Sequence, residues 1–91
     1  MHIENVKDFN EALENGPYAW PGMYPVYFIC ADNEALSFEA ALEHADLIHE
    51  AIAEKDNTGG WRVVAVCINW EDKDLICAHT GKQIAPAYGA D

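Results

Sequence analysis

The chain has 91 residues, enough for one domain and too few for two separate cores. Hydrophobic residues make up 51% of it and aromatic residues 11%, which excludes a disordered chain as the main reading. Five Lys and Arg stand against sixteen Asp and Glu, a net charge of −11. Nucleic acid and anionic membranes are thereby excluded as direct ligands of the general surface, while basic proteins, cations and small molecules remain.

In chain order, Asn5 suits a helix N-cap, and Val6, Phe9 and Leu13 give a short amphipathic helix that Gly16-Pro17 ends. Residues 17–25, with three prolines and a glycine among aromatics, predict an irregular, ring-packed connection. That segment reads either as a lid over a small core or as a binding patch built on Tyr18, Trp20, Tyr24 and Tyr27. Val26 to Ala31 is apolar on both faces and predicts a central strand; Asp32-Asn33 turns, and Glu34 to Leu36 returns as a short arm. Ser37 caps a long helix from Phe38 to Lys55, whose apolar side gathers Phe38, Ala41, Leu42, Ala45 and Ile52 for burial against the strands. Trp61 to Trp70 is a β-branched strand, residues 71–74 turn, Leu75 to Ala78 is a candidate partner strand, and His79 to Lys82 turn again. The expected fold is a single α+β domain over residues 1–91: a mostly antiparallel sheet of three or four strands with one short and one long helix.

Three widely spaced cysteines, Cys30, Cys67 and Cys77, and an N-terminal Met1-His2-Ile3-Glu4 without the basic and apolar pattern of a signal segment point to the reducing cytoplasm. No apolar run approaches the roughly 18 residues that a membrane-spanning helix needs.

The acids are unevenly placed. No Lys or Arg lies between Lys7 and Lys55, and ten acids stand in that window. On the long helix Glu39, Glu43, Asp46, Glu50 and Glu54 fall within about 80° of one face, a stripe about 22 Å long with a charge every 5 to 6 Å or so. One strand of B-DNA carries a phosphate about every 3.4 Å, so the stripe is a sparser line of the same sign. Like charges at i, i+4 cost a helix roughly 0.2–0.5 kcal/mol per pair, which stability alone would not favour. An acidic solvated face also keeps a small protein soluble, and the sequence leaves both readings open.

Catalytic signals are few. Cys77-Ala-His79-Thr-Gly81-Lys82 is similar to half a zinc knuckle, with Thr80 in place of the second thiolate; the plainer reading is a tight turn with Gly81 at positive φ. Asp46, His49 and Glu50 are spaced for a weak divalent cation, although His49 also fits the boundary of the apolar face. Cys30 and Cys67 lie within apolar strands, where a free Cys acts as a small hydrophobe. No phosphate loop, nucleophile elbow, zinc-protease or dinucleotide motif is present, so no cofactor, no metal and no enzyme activity are expected.

Asn15 to Gly22, Tyr24 to Phe28, Ala35 to Ala41, Gly60-Trp-Arg62, Asn69 to Asp72 and His79 to Lys82 together resemble short acidic proteins of phages and bacterial mobile elements, over nearly the whole chain. That set carries no assigned activity or catalytic residues to transfer. The resemblance implies a small accessory protein acting on host machinery, as compact acidic inhibitors of CRISPR-Cas and restriction systems do. The leading expectation is therefore a non-catalytic inhibitor, of anti-CRISPR or antirestriction type, that imitates DNA charge and covers a basic surface of a host nucleic-acid-binding protein. Its contacts would be Glu39, Glu43, Asp46, Glu50 and Glu54, extended by Asp32 and Glu34 and by the aromatic Tyr18 and Trp20. Two rivals are an accessory phage protein binding through the aromatic segment and a small metal-binding domain using Cys67, Cys77 and His79.

Overall fold

A computed structural model of the chain describes residues 2–16, 18–19, 24–56, 60–70, 72 and 74–84. Trp20, most of the Pro-rich segment and Glu71 lie outside the described residues.

The first helix, α1 (Val6–Glu14), starts where expected: the Asn5 side chain accepts the Asp8 N–H at 2.8 Å, and Asp8 in turn accepts the Glu4 N–H at 3.1 Å. Phe9 and Ala12 are its buried positions, and the chain leaves it through Gly16 at φ 86°. There are four strands among the described residues, β1 (Tyr18–Ala19), β2 (Tyr24–Cys30), β3 (Ala35–Ser37) and β4 (Val63–Ile68), all paired antiparallel, and the last three follow the expected order. As its two-sided apolar pattern requires, β2 is central. It pairs β3 on one edge, with Leu36 opposite Phe28, and β4 on the other, with Val66 opposite Phe28, while β1 pairs its start, with Tyr18 opposite Pro25. β1 sits inside the segment expected to be irregular, because two residues need only one short run of free backbone between prolines.

The β2–β3 turn is held by Asp32, whose side chain accepts the Glu34 N–H at 3.1 Å, and by Asn33 at φ 67°, a left-handed position that Asn tolerates. Ser37 caps the next helix by accepting the Ala40 N–H at 3.1 Å.

The expected long helix is two helices. α2 (Phe38–Glu43) and α3 (Ala45–Glu54) are separated by His44, at φ −112° and ψ 29°, outside the α-helical range. Neither Gly nor Pro causes the break. His44 instead turns its ring onto Trp61, with centroids 5.0 Å apart, and edge-on to His79 at 4.4 Å, so tertiary packing overrides local helix propensity. The buried positions are Ala40 and Ala41 of α2 and Ile48, Ala51 and Ile52 of α3. Phe38 and Ala45 are half-buried, and Leu42, expected in the core, is 55% exposed. The contact side is centred on Ala41 and Ile48, about a quarter turn from the side expected, which leaves Leu42 facing outward.

Directly paired residues share a face of the sheet. Phe28 and Leu36 are both buried on the helix-covered face, where Phe28 meets Phe9 at 5.4 Å and stacks on Phe38 at 6.0 Å. The opposite face, with Tyr27, Ile29, Ala65 and Cys67, is half-buried. Residues 75–84 form no regular strand: Ile76 and Gln83 make one isolated bridge around a turn in which Gly81 takes φ 72°. The turn reading of His79 to Lys82 thus holds, and the strand reading of Leu75 to Ala78 shrinks to that bridge. No helix among the described residues is long and apolar enough to cross a membrane.

Candidate functional site

Glu39, Glu43, Asp46, Glu50 and Glu54 are all exposed. The break at His44 divides them into a pair on α2 and a trio on α3, so the acidic line has two arms rather than one straight axis. It also lowers the cost of keeping them. Glu39 and Asp46 each fall in the first turn of a helix, where a negative charge is favoured, and Glu43 and Asp46 are no longer stacked on one helix. Neither helix has a basic residue in its last turn. Two large apolar side chains stand in the open beside the acids: Leu42, 55% exposed, between Glu39 and Glu43 on one side, and Leu47, 45% exposed, next to Asp46.

Asp32 and Glu34 are exposed but belong to a different neighbourhood. Ala31 donates to the Arg62 carbonyl at 2.8 Å, and the Arg62 guanidinium reaches the Lys55 carbonyl at 3.5 Å, so this turn adjoins a cation and the far end of α3. Asp32 is engaged by its own turn.

Tyr18 behaves differently from a lid. It is 51% exposed and lines a groove of about 300 Å³ together with Phe38, Glu39, Glu43, Thr80 and Lys82. Among the described residues that line it are thus two carboxylates, one ammonium and two aromatic rings. Tyr18 and Val26 also line a second, larger groove of about 900 Å³, bounded by Ala12, Asn15, Val66, Cys67, Ile68 and Trp70. The sequence offered Thr80 and Lys82 as turn residues only; nothing in their spacing signals that the turn returns to face α2.

The turn is placed by Asn69, buried at 3% exposure, whose amide donates at 2.9 Å to both the Asp72 and Ile84 carbonyls and accepts the Asp72 N–H at 3.0 Å. Cys77 is fully buried, and its sulfur accepts the Ser37 N–H at 3.4 Å. Burial alone would push this thiol up, but hydrogen bonds from Ser37 and Thr80 outweigh it and bring it down to about 7. Burial, with Asp32, Cys77 and Glu34 nearby, instead pushes Cys30 up to about 12. Among the described residues no three His, Cys, Asp or Glu side chains converge on a possible metal position. The cation reading of Asp46, His49 and Glu50 meets a plainer fact: His49 pairs with Asn10 at 2.7 Å and rests edge-on against Phe9, tying α3 to α1. The cluster of His44, Trp61 and His79 draws on three distant parts of the chain, and no spacing announces it.

Compared with known proteins, the chain matches no family model, and no curated protein or solved structure is significantly similar to it.

Proposed function

We propose that this chain is a non-catalytic binding protein whose acidic surface on α2 and α3 covers a basic patch of another protein. The observation that carries the reading is the shared groove: Tyr18, Glu39 and Glu43, which belong to separate parts of the sequence, line one cavity. Carboxylates on the rim attract Lys or Arg and speed encounter, while rings in the walls and the exposed Leu42 and Leu47 supply the desolvated contacts that set specificity. A partner that uses the same basic patch to hold nucleic acid is blocked when this chain sits on it. In its sharpest form the proposal is a phage-type inhibitor of a CRISPR or restriction system, acting as a DNA charge mimic in the host cytoplasm.

The test uses a partner recovered from host lysate and three proteins at two ionic strengths. Glu39→Gln with Glu43→Gln and Asp46→Asn removes three charges on the proposed surface. Glu4→Gln with Glu11→Gln and Asp74→Asn removes three exposed charges elsewhere. Affinity is expected to fall far more in the first variant than in the second, and to fall with salt in the parent. Equal loss in both variants would reduce the effect to overall charge, and no loss in the first would overturn the proposal.

A further inference from the structure

Tyr18 and Val26 line both grooves, so the acidic groove and the larger one meet at a common wall. The larger groove is bordered by Val26, Val66, Ile68 and Trp70, with Trp70 47% exposed, and is therefore chiefly apolar. Its rim on the α1 side holds Asn15, one residue after the exposed Glu14. No basic residue is among the described residues that line it. An occupant that spans the shared wall thus meets carboxylates on one side and an apolar trough on the other.

Resting on the function proposed above, we infer that the two grooves take a single extended segment of the partner, with a basic side chain in the acidic groove and a bulky apolar side chain in the larger one. Charge and continuity argue for this occupant. Glu39 and Glu43 outnumber Lys82 in the first groove, and the chain's net charge of −11 opposes a second copy of itself at the same place. A guanidinium suits the first groove better than an ammonium, because it stacks on rings such as Phe38 and Tyr18 while pairing with carboxylates in its own plane. A Leu or Phe side chain suits the second, since it removes apolar surface from water without leaving a polar group unpaired. Trp70 lines the second groove and is 47% exposed, so its indole N–H reports on occupancy.

The experiment uses the full chain and synthetic peptides with blocked ends. One series carries two arginines and a leucine separated by one to four glycines, in either order. A second has glycine in place of leucine, and a third has glycine in place of the arginines. NMR titration reads affinity, and the Trp70 indole N–H resonance reads the second groove. The best arginine–leucine peptide is expected to bind about tenfold more tightly than its leucine-free counterpart, the scale of burying one large aliphatic side chain. It is also expected to shift the Trp70 indole N–H resonance, which the leucine-free peptide does not do. Trp70→Ala, or Asn15→Trp at the exposed rim, should remove that tenfold gain and leave the leucine-free peptide unaffected. An arginine–leucine peptide that binds no better than the leucine-free one, or that leaves the Trp70 indole resonance unmoved, overturns the inference. In that case the acidic-groove reading stands if Glu39→Gln with Glu43→Gln weakens the arginine peptide. Equal binding by the arginine-free series overturns the joint occupancy, and no binding by any series removes both readings.

Discussion

The Asn69 amide bonds to the Ile84 carbonyl at 2.9 Å, joining the end of β4 to the last described residue of the chain. Through this contact and two more to Asp72, one buried side chain fixes the loop that brings Thr80 and Lys82 to face α2. Asn69→Ala strands three backbone groups, the Ile84 carbonyl in a buried contact and the Asp72 carbonyl and N–H in part-buried ones, and an unmet buried group costs about 1–3 kcal/mol. Urea denaturation should show a loss of that order, and partner affinity should fall with it even though Asn69 lies outside the groove. Unchanged stability would mean that the loop is held by other contacts.

Leu42 and Ile48 make a contrasting pair. Leu42→Ala, at an exposed position, should change stability by less than about 0.5 kcal/mol. Ile48 is fully buried, and Ile48→Ala should cost about 2–5 kcal/mol, enough to threaten so small a domain. If Leu42 serves the binding surface, its Ala variant should weaken partner binding while melting normally. A large loss of stability at Leu42 would contradict the contact side observed for α2.

Cys77 predicts a pH dependence whose sign is fixed by the direction of its shift. Its folded value, about 7, lies below the ordinary thiol value of 9.0, so the thiolate is favoured by folding. The stabilisation is present above pH 9 or so and is lost as pH falls through about 7. Cys30 acts oppositely and later: pushed up to about 12, it destabilises the fold as pH rises beyond 9.0. Between about pH 7 and 9, Cys77→Ala should therefore flatten the rise of stability with pH, and Cys30→Ala should not. Ultraviolet absorbance of the thiolate in the folded protein locates the titration directly. A Cys77 that titrates near the ordinary thiol value would show that the Ser37 and Thr80 hydrogen bonds do not favour the charged form.

Neutralising the acids of α3 should leave the fold intact. Asp46 and Glu50, and Glu50 and Glu54, remain like-charged pairs one turn apart. Glu50→Gln relieves both, so the melting temperature should hold or rise by a degree or two, in line with a few tenths of a kcal/mol. A fall would indicate that Glu50 is part of the folding scaffold rather than of a surface kept for contact.

The sequence reveals the elements that depend on local signals and hides those that depend on distant ones. Asn5, Ser37 and Gly81 announce their caps and turn, and the two-sided apolar runs place β2 and β4 correctly. The break at His44 is invisible locally, because its cause is Trp61 and His79, brought in from positions 17 and 35 residues further on. Leu42 is misplaced for a separate reason: the buried side runs through Ala40, Ala41 and Ala51, small residues that mark a core face weakly. Of the candidate site, the exposed acids are legible as a period. The groove is not, since it needs β1, α2 and the Asn69-anchored loop to arrive together.

The N-terminal residues have a consequence for the fate of the chain outside its native state. Ile3 donates to the Val64 carbonyl at 2.8 Å and His2 bridges Ala65, so the outer side of β4 is occupied. Without them, Val63–Ile68 would present six uncharged, mostly β-branched residues as an open edge. Such a ribbon recruits other copies of itself into fibrils. His2 and Ile3 thus work as a guard against self-association, and a chain lacking them should cloud on gentle warming while the intact one stays clear.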